Sequence, residues 1–98
     1  MNIERLATMV ERRKEWCDRV VAELARAYDK HGTEPWGRHE FYAILLEEVD
    51  ELWAEIKKGG TEPFDSEKME KEMIQVAAMT LRYFETGDRY DQPKESNQ

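Results

Sequence analysis

Ninety-eight residues limit the chain to one domain with one core, and 40% hydrophobic with 38% charged residues excludes a disordered or membrane-embedded chain. A net charge of −7 excludes a general affinity for nucleic acid, whose phosphates are held by Lys and Arg and repelled by carboxylates. No apolar run approaches the roughly 20 residues that span a bilayer, and the start Met1-Asn2-Ile3-Glu4-Arg5 has no basic or apolar leader region, so a cytoplasmic chain is expected.

The first predicted helix runs from Ile3 to about Tyr28, where Ile3, Leu6, Val10, Cys17, Val20, Leu24 and Tyr28 recur at helical spacing. Arg13 interrupts that stripe, and Arg12-Arg13-Lys14 forms a basic patch read as a solvated face. The lone Cys17 has no partner for a disulfide and is expected to act as a small buried hydrophobe. The next segment, His31-Gly32-Thr33-Glu34-Pro35-Trp36-Gly37, breaks the periodicity, because glycine and proline destabilise helix interiors.

The second helix is predicted over about Arg38 to Lys58, ended by Gly59-Gly60. The third covers about Ser66 to Glu85, with Asp65 or Ser66 as its N-cap and a stop near Gly87. Residues 1–87 then make the domain, and 88–98 a polar, frayed tail. Gly32-Thr33-Glu34-Pro35-Trp36 and Gly60-Thr61-Glu62-Pro63-Phe64 repeat one pattern before a helix, in which proline sets the entry turn and the aromatic ring packs on the new helix.

On a wheel of about 100° per residue, Phe41, Leu45, Val49, Leu52 and Ile56 form the expected core face of the second helix, and Glu48, Glu51 and Glu55 lie along one border of it. Glu48 and Glu51 are i, i+3 neighbours that repel each other unless a cation lies between them. Apolar residues of the third helix, from Met73 to Phe84, cover nearly its whole circumference. Three helices cannot bury a helix all round, so the expected fold is an all-α bundle whose core is completed by dimerisation. Glu72 and Gln75, again i, i+3, sit at the edge of that apolar run and would find polar partners in Glu48 and Glu51 across the helix pair.

The residues Leu46-Glu47-Glu48-Val49-Asp50-Glu51-Leu52, followed by Glu72-Met73-Ile74-Gln75, resemble the pattern of the MazG-like all-α nucleoside triphosphate pyrophosphohydrolases: Glu-Glu-x-x-Glu on one helix and Glu-x-x-Asp on the next. The resemblance covers about Trp36 to Phe84, and the flanking segments are similar to short MazG-like proteins of phage and bacterial genomes. It implies four side chains binding magnesium, with manganese as a substitute, and hydrolysis of a nucleoside triphosphate to a monophosphate and pyrophosphate. Glu48 and Glu51 match the first two ligands and Glu72 the third. Gln75 stands where the pattern has Asp, and contributes a carbonyl oxygen without charge, which weakens the site.

Under that resemblance Glu48, Glu51 and Glu55 are the catalytic candidates. Glu55 is either a second-ion ligand or base, or a solvated acid paired with Lys58. Phosphate contacts fall to Lys57, Lys71 and Arg82, and base contacts to aromatic surface such as Trp36 and His39, with Tyr42 and Trp53 also available. Two other readings stand beside the enzyme. One is a non-catalytic helical interaction protein with a degenerate metal site. The other is an acidic decoy of nucleic acid, disfavoured because Lys and Arg interleave the acids outside the second helix.

Overall fold

The computed structural model describes residues 2–86, and all regular structure in them is helical. The expected stop near Gly87 and the tail 88–98 lie outside the described residues. Helix α1 spans Ile3–His31, α2 spans Arg38–Ile56 and α3 spans Ser66–Thr86. No helix among the described residues is long and apolar enough to cross a membrane.

Three boundaries have a local cause in a cap. The Asn2 side-chain oxygen accepts from the Arg5 N–H at 2.7 Å, which satisfies one of the free amides that open α1. The helix runs three residues past Tyr28, the end expected from the apolar spacing, because Asp29, Lys30 and His31 carry no periodic signal yet continue the turn. It ends at Gly32, whose φ of 80° is a conformation that side chains with a Cβ avoid, and whose N–H donates to the Tyr28 carbonyl at 2.8 Å. Asp65 caps α3, as its Oδ1 accepts from the N–H groups of Glu67 at 2.9 Å and Lys68 at 3.3 Å.

Helix α3 lies between the other two, with α2 packed along one side and α1 along the other. The core is Leu24 and Ala27 of α1 against Ala78 and Met79 of α3, with Val20, Tyr28, Trp36, Ile44 and Leu81 around them. Ala78 is 0% exposed, and its small side chain lets α1 approach α3 closely. At the α2 side, the rings of Phe41 and Tyr83 stack with centroids 4.5 Å apart.

This sandwich sorts the expected apolar faces. The apolar circumference of α3 is covered only in part within the chain: Ile74, Ala78 and Met79 are buried, whereas Met73, Ala77 and Phe84 stay exposed. The face α2 turns inward holds Phe41, Ile44, Leu45, Glu48, Leu52 and Glu55, all half-buried, whereas Val49 and Ile56 of the expected core stripe are exposed. These two join Tyr42, Leu46 and Trp53 in a second, outward stripe at i, i+4, i+7, i+11 and i+14, the seam spacing of paired helices. Residues 2–15 of α1 all face solvent, and where the helix meets the bundle its inward side is Trp16, Val20, Glu23, Leu24 and Ala27, which leaves Cys17 exposed. The repeated Gly-Thr-Glu-Pro-aromatic segments also diverge: Trp36 packs on the core, whereas Phe64 is exposed.

Candidate metal centre and the adjoining cavity

Along the seam of α2 and α3, Glu48, Glu51 and Glu72 each place one carboxylate oxygen within 4.8 Å of the others. Glu48 and Glu72 are half-buried and Glu51 is exposed. The i, i+3 spacing on α2 and the packing of α3 against it produce the cluster, so three of the four side chains named as ligands from sequence do converge. One Glu72 oxygen, Oε2, is buried with no hydrogen-bond partner.

The electrostatics match that geometry. Burial first, and then the charges of Glu51 and Glu72, push the Glu48 carboxyl above its ordinary value. Burial and the Glu51 charge do the same to Glu72. Three acids held together without a fixed cation form an oxygen-only donor set, the chemistry that suits a hard divalent ion.

The other expected site residues are placed elsewhere or otherwise engaged. Glu55 accepts from the Lys58 ammonium at 2.9 and 3.0 Å, so the structure realises its paired alternative. Gln75 turns its amide nitrogen toward α1 and donates to Glu23 Oε2 at 2.9 Å. Arg82, expected to contact phosphate, is only 2% exposed: its guanidinium lies 4.0 Å from the centre of the Trp36 ring and 5.2 Å from that of Tyr28, and its Nη2 donates to the Glu34 carbonyl at 2.9 Å. That cation fastens the loop between α1 and α2 onto α3. Lys57 is exposed at the C-cap of α2, and His39 is exposed on its first turn. Lys71 is exposed as well, and its charge acts on both Glu23 and Glu72.

A cavity of about 350 Å³ opens where the three helices meet, bordered by Glu23, Trp36, Ile44, Glu48, Gln75 and Arg82 among others. It shares Glu48 with the acidic cluster. Glu23, absent from the sequence reading, is its most engaged acid: Arg26 Nε donates to it at 3.1 Å, a second Arg26 nitrogen also reaches it, and Gln75 completes the set. The Arg26 hydrogen bond outweighs burial and holds the Glu23 carboxyl below its ordinary value. A signal for it existed, because Glu23 interrupts the inward run Val20, Leu24 and Ala27 and has Arg26 at i+3. Elsewhere, burial and a 2.7 Å hydrogen bond to Glu85 push the Tyr28 hydroxyl up to about 12. Compared with known proteins, the chain matches no family model, no curated protein and no solved structure.

Proposed function

We propose that the protein is a magnesium-dependent nucleoside triphosphate pyrophosphohydrolase of the MazG-like kind, acting in the cytoplasm and releasing pyrophosphate and a nucleoside monophosphate. The observation that carries this reading is the oxygen trio of Glu48, Glu51 and Glu72, with one Glu72 oxygen buried and lacking a partner. A buried acceptor without a donor is costly, and a cation on the trio removes that cost along with the mutual repulsion. These three side chains would hold magnesium or manganese, which supplies neutralisation of phosphate charge and a more acidic water for attack on the α-phosphorus.

The chain's own groups divide the remaining work. Lys71 offers a mobile ammonium beside Glu72 for the phosphate chain. The Lys58 partner keeps Glu55 in place next to the trio, while Glu48 joins the trio to the cavity. The outward stripe of α2, Tyr42, Leu46, Val49, Trp53 and Ile56, supports a homodimer, since five large apolar side chains at seam spacing gain from being covered by a second copy. The runner-up, a non-catalytic helical interaction protein, is favoured by one observation: Gln75 supplies no fourth carboxylate and bonds to Glu23.

The test is pyrophosphate release from a panel of ribo- and deoxyribonucleoside triphosphates, run beside thermal melting with and without magnesium. At ten times its dissociation constant the ion should stabilise the fold by about 1.4 kcal/mol, a rise of roughly 6–11 °C for a domain of this size. No release from any triphosphate, with no magnesium-dependent rise, would leave only the helical scaffold.

A further inference from the structure

The cavity beside the trio has a composition that the metal site does not explain. Among its lining residues are two carboxylates, Glu23 and Glu48, and two guanidiniums, Arg26 and Arg82, so it is close to charge balance. A polyphosphate gains little from such a space, whereas a neutral ring with hydrogen-bonding edges loses none of its own solvation uncompensated. Its volume of about 350 Å³ is at the small end of small-molecule sites, and Trp36, Ile44 and Met79 supply apolar wall.

We propose that this cavity receives the base of the nucleotide and selects bases that carry an exocyclic amino group. The inference rests on the hydrolase reading for the ligand being a nucleotide. Because Glu48 belongs to both cavity and trio, a base in the cavity leaves its phosphates beside the carboxylates that would hold the ion.

The selection follows from the hydrogen-bonding inventory. A carboxylate accepts at about four positions, and Glu23 has three of them occupied, two by Arg26 and one by Gln75, so one acceptor position remains. The Gln75 carbonyl adds another acceptor to the same wall. Arg82 contributes the opposite, an Nε–H donor that is buried with no partner. Cytosine, adenine and guanine present an amino donor beside a ring or carbonyl acceptor, and so complete both kinds of group. Uracil and thymine have no amino group and offer only the ring N3–H as a donor, flanked by two carbonyls, so when it meets Glu23 a carbonyl lone pair is set against the neighbouring Gln75 carbonyl or the carboxylate itself.

Calorimetric titration of nucleoside monophosphates without magnesium isolates the cavity from the metal site. At least one of the cytidine, adenosine and guanosine compounds should bind about tenfold or more tightly than the uridine and thymidine compounds. Glu23→Gln, which adds a donor to that wall, should shrink this ratio several-fold. If that variant does not fold, Glu23→Asp, which withdraws the acceptor, should shrink it instead. Binding of uridine as tight as any other, absence of binding by all five, or an unchanged ratio in the variant each overturns base selection. Triphosphate turnover, measured separately, reports on the hydrolase reading: turnover without base preference sinks only this inference, and selective monophosphate binding without turnover sinks only the hydrolase.

Discussion

Glu23 and Glu72 are acids on helices packed against each other, yet their surroundings oppose one another. Glu23 has a guanidinium and an amide on it, and its carboxyl is held below the ordinary range. Glu72, on the other side of α3, meets further acids, and its carboxyl is pushed above that range, as is that of Glu48. A fold that can neutralise a carboxylate from its own side chains does so for Glu23 on the α1 side and for Glu55, through Lys58, on the α2 side, and leaves Glu48, Glu51 and Glu72 without an ion pair among the described residues. The difference marks the α2–α3 seam as the place where charge must come from outside.

Gln75 stands at the boundary of the two regions, so changing it has the largest expected effect. Gln75→Asp removes a donor from Glu23 and sets a second acid near it, which should destabilise the protein by about 2 kcal/mol in the absence of divalent ions. If the new carboxylate can join the trio, magnesium will recover part of that loss. Equal losses in both conditions, read by thermal melting, would assign the position to the α1 network alone.

A smaller effect is expected within the trio. A carboxyl whose value is raised in the folded state stabilises the fold below its unfolded value, 4.5, and that contribution is lost as pH rises through the raised value. Without divalent ions, denaturant unfolding from about pH 4 to pH 7 should therefore show the trio's contribution falling, and Glu48→Gln or Glu72→Gln should flatten it. At neutral pH either substitution should add roughly 0.2–0.5 kcal/mol of stability by removing like-charge repulsion. With magnesium present the sign should invert, and a profile indifferent to magnesium would mean that the trio holds no ion.

The smallest effect falls on the neutralised side. Arg26→Ala removes an exposed partner and should barely move the melting temperature, while Glu23 rises back toward its ordinary value in an NMR titration. Because Glu23 is lowered in the fold, it stabilises above 4.5 and that contribution is lost as pH falls, so the variant should lose less of its stability in acid. An unmoved Glu23 titration would mean that Gln75 and Lys71 hold its carboxyl down without Arg26.

The helices and the trio were legible because both rest on spacing along one chain. Glu48 and Glu51 repel at i, i+3 wherever α2 lies, and Glu72 needed only the packing of α3 against it. What depends on how helices meet was less legible. Val49 and Ile56 fit the same apolar stripe as Phe41, yet α2 is rotated so that Ile44 and Glu48 face inward, a choice made by contact with α3 rather than by periodicity. Arg82 read as a phosphate contact, and only the converging rings of Trp36 and Tyr28 explain its burial. The Glu23–Gln75 bond joins residues 52 positions apart, beyond the reach of any local pattern.

The position of α3 has a further consequence for how the chain is made. Synthesis delivers α1 and α2 first, and each buries its inward face chiefly against the helix that comes last. Until α3 leaves the ribosome, Leu24, Ala27 and Ile44 have no core to enter, and the acids of α2 have no opposing Glu72. Most tertiary contact among the described helices waits on the same segment, so a nascent chain halted in the loop after α2 holds two helices with little packed between them.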